Sequence, residues 1–241
     1  IEKEITKPFI NAKNIKDCLI GAANQFIIFP YTQGADGIER IEENKFKSKY
    51  PYAYAHLRKY KSNLENRSLQ HGARWFEYSR TQNFSEIKNK KILVKEMMPA
   101  SEFSADIRGN NVFASGYALN ADNMSDEEVV SWTIVLSTPI MEFILRHCGT
   151  QLHSGWFRLM KQHLKSIHLP LLSKNDHKKI YRVFKTKKSR RISIEMANNI
   201  VAKSFGIDDK QTNFVYEYLS RIHKISKPQK NSSVINYEPV K

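Results

Sequence analysis

Cysteine is scarce in this chain, with only Cys18 and Cys148 among 241 residues. Two thiols are too few for a secreted disulfide framework, so a reducing cytoplasm is the expected compartment. Long apolar runs are missing too. No stretch has the length a membrane-crossing helix needs, and the opening residues lack the charged, apolar, small-residue order of a signal peptide. No membrane partner is expected. Internal repeats are absent, which argues against a solenoid or propeller. The first residue is Ile rather than Met, as expected of an excised or processed piece of something longer.

Acidic residues are also in deficit, with 24 Asp and Glu against 39 Lys and Arg, a formal charge of +15 and a pI near 9.7. A chain this long can bury a sizeable core unaided, as one large domain or two small ones. The charge excess predicts a polyanionic partner, with nucleic acid first among the candidates. Its distribution is uneven. Residues 51–98 hold ten basic against four acidic side chains and residues 171–241 hold sixteen against six. Residues 1–50 are nearly balanced at eight against seven, and 99–170 are slightly acidic at five against seven. Two basic segments of this kind could clamp a phosphate backbone, or the last of them could simply be solvated.

Hydrophobic patterning predicts an α+β fold: a mixed twisted sheet with flanking helices over 1–172, a basic helical extension over 173–226 and a flexible tail over 227–241. Phe26 to Phe29 is short, aromatic and β-branched, as a strand should be, and Gln33 to Gly37 reads as a turn. Pro51 starts a helix whose apolar positions Ala53, Leu57, Tyr60 and Leu64 recur at helical spacing, with a basic outer side. Strands are expected at Trp75–Tyr78, Ile92–Lys95 and Val112–Leu119. Ser125 and Glu128 form a capping box, and Thr138 with Pro139 opens a second helix that ends near Gly149. A polar and aromatic loop follows from Thr150 to Arg158. Three helices are then expected near 175–184, 193–205 (closed by Gly206) and 208–223 (opened by Asp208 with Gln211).

The block from Pro51 to Asp106 interleaves guanidinium and ammonium groups with flat rings, the chemistry for gripping phosphates and reaching base edges. Arginine forks onto guanine or phosphate, and Gln or Asn pairs with adenine, so Arg74, Arg80, Gln82 and Asn83 form a candidate reading set. Trp75 and Phe76 are read as core, and Arg80 either contacts a base or holds a carboxylate. Lys88, Lys90, Lys91 and Lys95 surround the apolar Ile92-Leu93-Val94 and are candidate phosphate contacts, with a solvated strand face as the alternative. Gln151, His153, Arg158 and Lys161 lie on or just beyond the later loop, the kind of segment on which binding groups are carried. His147, Cys148, His153, His163 and His168 match no usual zinc spacing, so no metal is assigned.

The order Pro-Tyr-x-Tyr-x-x-Leu, Asn-Leu-Glu-Asn-Arg, Ala-Arg-Trp-Phe-Glu-Tyr-Ser-Arg, then Lys-Lys-Ile-Leu-Val-Lys and Phe-Ser-Ala-Asp resembles the TaqI-like specificity domain of adenine-specific DNA methyltransferases, from about Ile5 to Ile222. Four features line up with that pattern: Phe9–Tyr31, Tyr54–Arg67 as a first long helix, Arg74–Arg80, and Ile134–Leu172. Leu136-Ser137-Thr138-Pro139 departs from the Leu-Asn-Ser more usual in the family. The resemblance implies a target-recognition module of a restriction-modification enzyme. Its partners would be double-stranded DNA and a catalytic methyltransferase domain, in cis or in trans, that flips and methylates an adenine. Some relatives carry a nuclease domain as well.

The glycine-bearing loop for the methyl donor and the Asn-Pro-Pro-Tyr-type motif that such chemistry needs are both missing here. No catalytic residue and no cofactor is therefore assigned to this chain, and S-adenosylmethionine is expected in a separate catalytic domain. Rival readings are a trans-acting specificity subunit, a Mg²⁺-dependent nuclease using Glu43 or Glu86 from two Glu-x-Lys matches, and an RNA binder, which would lack any standard RNA motif.

Overall fold

Short β-branched and aromatic runs form strands, and capped amphipathic stretches form helices, so the chain is α+β as its patterning predicts. The computed structural model describes residues 1–34, 37–81, 84–187 and 189–225. Gln82, Asn83, the centre of the Gln33–Gly37 turn and the expected tail at 227–241 lie outside the described residues. The chain divides into two compact units, one of Ile1–Phe9, Ala22–Asn89 and Arg108–Val112, the other of Ile10–Gly21, Lys90–Ile107 and Phe113 onward.

In the first unit β1 (Thr6–Ile10) pairs antiparallel with β2 (Gln25–Ile28), with Lys7 opposite Ile27. β3 (Tyr31–Gly34) and β4 (Gly37–Arg40) form a second antiparallel pair. Three short helices follow: α1 (Glu43–Lys49), α2 (Pro51–Arg58) and α3 (Lys61–Glu65). The single helix expected from Pro51 through Leu64 is broken. Tyr60 leaves helical backbone angles (φ −110°, ψ 15°), and its N–H closes a tighter turn on Leu57. The break leaves Tyr60 52 % exposed while Leu57 and Leu64 both pack on the cluster of Phe46, Ala53 and Phe76. Proline at the first position of α2 brings no N–H, and the next two N–H groups, of Tyr52 and Ala53, donate to the Glu2 carboxylate at 2.8 and 3.0 Å.

The strand expected at Trp75–Tyr78 is instead a run of turns. Side chains, not a neighbouring strand, satisfy its backbone. Arg67 donates to the Trp75 and Glu77 carbonyls at 2.8 and 2.9 Å, and the Tyr78 N–H donates to the Tyr31 hydroxyl at 2.8 Å.

The second unit is built on β5 (Lys91–Lys95), flanked antiparallel by β7 (Phe103–Asp106) and β9 (Gly116–Asn120). Between these in chain order lie β6 (Met97–Met98) and β8 (Val112–Phe113). The one strand expected over Val112–Leu119 is thus two, β8 and β9. At the start of β9 the Gly116 backbone approaches β5 so closely that a Cβ would sit 2.0 Å from the Val94 carbonyl oxygen.

Helix α4 (Asp126–Leu136) begins with the expected capping box. The Ser125 hydroxyl accepts from the Glu128 N–H at 3.2 Å, and the Glu128 carboxylate accepts from the Ser125 N–H at 2.8 Å. α5 (Pro139–Cys148) starts with proline and is capped by Thr138. β10 (Thr150–Gln151), a 3-10 turn at His153–Gly155 and β11 (Phe157–Arg158) replace the expected irregular loop, and β11 pairs with both β10 and β6. α6 (Lys161–Ser166), α7 (Lys174–Lys187), α8 (Arg190–Phe205) and α9 (Asp209–Ile225) complete the unit.

Ile180, Ile194, Ala197 and Val201 of α7 and α8 share one core with Val94, Phe103, Ile134 and Leu145, so the basic helices are anchored by an ordinary apolar face. Among the described residues no single helix is long and apolar enough to cross a membrane. α4 and α5 are the most apolar, and they are buried in this core.

Candidate nucleic-acid interface

In the first unit the aromatic-arginine block folds inward. Trp75 and Phe76 are buried against Phe46 and Tyr50, as expected of core residues. The Trp75 indole N–H and the Tyr54 hydroxyl both donate to one Glu43 oxygen at 2.9 Å. The indole bond above all, with the Tyr54 bond, holds the Glu43 carboxyl below its ordinary value despite partial desolvation. Glu43 is therefore engaged in packing, and Glu86, the other Glu-x-Lys acid, accepts from Asn89 at 2.6 Å.

Arg74, from the candidate reading set, is engaged by groups of its own unit. Its guanidinium is tied to Glu42, to Glu77 at 3.0 Å and to the Ile41 carbonyl at 3.2 Å. Glu77 is 1 % exposed and is also reached by Arg40 at 3.3 Å, so Arg74 helps to offset a buried charge. Arg80 stands apart. It is exposed, and no hydrogen bond or ion pair engages it among the described residues. A pocket lined by Tyr31, Ile38, Arg40, Thr81, Phe84 and Ser85 lies in the same unit.

The four candidate lysines are divided between the units. Lys88 is exposed at the end of a 3-10 turn, Phe84–Lys88, in the first. Lys90, Lys91 and Lys95 belong to the second, and each meets an acid there: Lys90 with Asp126 at 3.5 Å, Lys91 with Asp106 at 3.1 Å, and Lys95 with Glu102. Register explains the last two. Lys91 lies directly opposite Asp106 across β5 and β7, and Lys95 follows the Val94–Phe103 pair by one step. Lys91 is only 5 % exposed. Lys88 is the exposed member of the set that meets no acid among the described residues.

The later loop is held from beneath by a residue that composition and spacing did not single out. Arg146, wholly buried, donates from Nη1 to the Gly155 carbonyl at 2.8 Å, from Nη2 to the Pro99 carbonyl and from Nε to Glu142 at 2.8 Å, and stacks 4.5 Å from the Phe157 ring centroid. Glu142 also accepts from the Ser101 N–H at 3.0 Å and meets His223 Nε2 at 2.8 Å. Burial alone would raise the Glu142 pKa, but His223 first, then Arg146 and the Ser101 amide, outweigh it and hold this carboxyl below its usual range.

Above this network the chain passes through left-handed backbone at Ser154 (φ 59°) and Gly155 (φ 72°) and presents His153 exposed. Gln151 spends its amide on the Arg146 carbonyl, and Arg158 is paired with Glu96, its Nε at 2.7 Å. Lys161, at the start of α6, is exposed and meets no carboxylate among the described residues. The structure thus brings Gln151, His153 and Arg158 onto one turn and leaves His153 and Lys161 as its open polar groups.

Several exposed groups were absent from the candidate set. Tyr52, His56 and Tyr60 recur every fourth residue across α2 and its end, with Tyr52 72 % exposed and the His56 and Tyr60 rings 5.6 Å apart. Their spacing marks the outer face that the basic residues of this segment share, a signal visible in the helical periodicity. Lys7 on β1, half-buried, was absent from the set too, and no local motif marks it. Among the described residues no group of three or more His, Cys, Asp or Glu side chains is placed to hold a metal ion.

No family model matches the chain. It is similar to a curated protein, the Type II methyltransferase M.MjaIV of Methanocaldococcus jannaschii, with 28 % identity over 159 residues. That match takes in 65 % of this chain and 46 % of the relative, so the chain spans less than half the length of the methyltransferase it resembles. The similarity relates part of this α+β chain to part of a type II methyltransferase.

Proposed function

We propose that this chain is the DNA target-recognition module of an adenine-specific methyltransferase or of a fused restriction-modification enzyme, of the TaqI-like specificity type. The observation that carries this reading is the similarity to a type II methyltransferase over a segment of under half that protein, in a sequence that holds neither the methyl-donor loop nor an Asn-Pro-Pro-Tyr-type motif. Charge and placement support it. A net +15 suits a polyanion, and Arg80, Lys88, His153 and Lys161 are cations or polar groups on the surface of their units.

In this mechanism exposed lysines and arginines fix register on phosphates, and the β10–β11 turn and the Arg80 segment approach base edges. A methyltransferase domain, in cis or in trans, binds S-adenosylmethionine and acts on the flipped adenine.

The test is selection of the purified chain on a randomised duplex pool, with the enriched sites compared against scrambled DNA over a salt series. Enrichment of one short motif that persists at moderate salt supports target recognition. Binding that is steeply salt-sensitive and blind to sequence reduces the role to holding backbone, and no binding to any duplex sinks the reading.

A further inference from the structure

In the first unit one aromatic cluster carries Lys7 over a ring and leads into the turn that ends at Lys88. Lys7 sits on β1 with its ammonium 5.2 Å from the centroid of the Phe29 ring. Phe29 packs 5.0 Å from Phe84, the first residue of the 3-10 turn that ends at Lys88. Ile87, buried in the same cluster as Phe29 and Tyr31, pins that turn and leaves Lys88 facing solvent. The backbone at Gly109 (φ 62°) presses on the same turn, since a Cβ there would lie 2.1 Å from the Lys88 carbonyl oxygen. Only glycine can occupy that position without moving the lysine's backbone.

Neither ammonium meets a carboxylate among the described residues. Burial first, and then the charge of Lys88, push the Lys7 pKa below the ordinary lysine value. Lysines of opposite habit stand in the other unit, where Lys90, Lys91 and Lys95 each meet an acid. An uncompensated pair, one member of it half-buried over an aromatic face, is an electrostatic arrangement that a bound anion would relieve.

We propose that Lys7 and Lys88 together seat one phosphate group, a backbone phosphate of the duplex that this unit grips. The proposal rests on the DNA-recognition reading for the source of that phosphate, while the seat itself rests on the two lysines and their platform. The Phe29 ring keeps the Lys7 stem in place, and the 3-10 turn fixes the approach of Lys88. A phosphate between them would take charge-assisted hydrogen bonds from both ammonium groups.

The experiment follows the lysine Cε and Hε signals of the full chain by NMR while pyrophosphate is added, and in parallel measures duplex affinity across a salt series for the native chain, Lys7→Gln, Lys88→Gln and Lys7→Arg. Saturable shifts at Lys7 and Lys88 are expected, with the Lys7 shift weakened in Lys88→Gln. Each Gln variant should lower the slope of log affinity against log salt by up to about 0.9, the value for the one phosphate the two lysines share, and Lys7→Arg should keep the native slope. Silent lysine signals together with unchanged slopes in both Gln variants overturn the seat while leaving duplex recognition standing. Saturable pyrophosphate shifts in a chain that binds no duplex keep the seat and overturn the recognition reading. Failure of both arms overturns both.

Discussion

Arg146 and Gly155 are joined by a 2.8 Å hydrogen bond that runs from a wholly buried guanidinium to the backbone of an exposed turn. The same guanidinium holds Pro99 and Glu142, so one side chain ties the β10–β11 turn to the core of its unit. Arg146→Met would leave Glu142 short of a cation and two carbonyls short of donors. Breaking a buried pair in this way costs about 3–5 kcal/mol. Urea unfolding should register that loss, and Arg146→Lys should fail to recover it, because a single ammonium cannot point three ways. A Met variant that unfolds at the native urea concentration would remove the anchor from the account.

Acid should weaken the same network. The folded Glu142 pKa lies below its unfolded value, so the carboxylate's contribution is fully present above the unfolded value of about 4.3 and disappears as pH falls through the folded one. The stability gap between the native chain and Glu142→Gln is therefore expected to be widest near neutrality and to shrink on acidification. Urea midpoints at a series of pH values measure it. A gap that does not change with pH would mean that Glu142 titrates alike in both states.

Cations that look equivalent in sequence should separate by assay. Lys161→Gln and Arg80→Gln are expected to leave stability within about 0.5 kcal/mol, the usual range for surface changes. Each should flatten the salt dependence of duplex binding. Lys91→Met should do the reverse, stranding the buried Asp106 at a cost of about 3–5 kcal/mol with no effect on the salt slope. Thermal unfolding and fluorescence anisotropy on the same preparations decide the matter.

Glu2 caps α2 from fifty residues away, through the Tyr52 and Ala53 N–H groups. Glu2→Ala should cost about 1 kcal/mol, as loss of an N-terminal cap does. Glu2→Gln should recover part of it, since an amide oxygen still accepts. Amide exchange at Tyr52 and Ala53 is the direct readout, and unchanged protection in Glu2→Ala would show that water serves the helix end equally well.

The isolated chain is also expected to transfer no methyl group from radiolabelled S-adenosylmethionine to duplex DNA. Incorporation above background would contradict the separation of recognition from chemistry.

Features set by neighbours in sequence were legible from it. The Ser125–Glu128 box, the Thr138-Pro139 start, the Gly206 stop (φ 67°) and the Asp208–Gln211 opening are all local, and each stands where the residues predicted. Trp75–Tyr78 misled because aromatic residues read as strand, while the groups that hold it, Arg67 and Tyr31, lie 8 to 47 positions away. The ion pairs of the lysines around β5 were hidden in the same way. Their acids, Asp106, Glu102 and Asp126, are brought near by strand pairing and by the start of α4, which no window of adjacent residues displays. Lys7 was not singled out because nothing beside it in the chain marks it.

The Arg146 anchor has a bearing on change over time. It grips Gly155 and Pro99 by their peptide oxygens, and the turn adds its own peptide bond from the Leu152 N–H to the Trp156 carbonyl at 2.8 Å. Every amino acid carries the peptide oxygen, and every one but proline the N–H. The outward side chains of this turn, His153 among them, can thus be exchanged without redrawing the path of the chain beneath them. The molecule separates the part that must persist from the part that is at liberty to diversify.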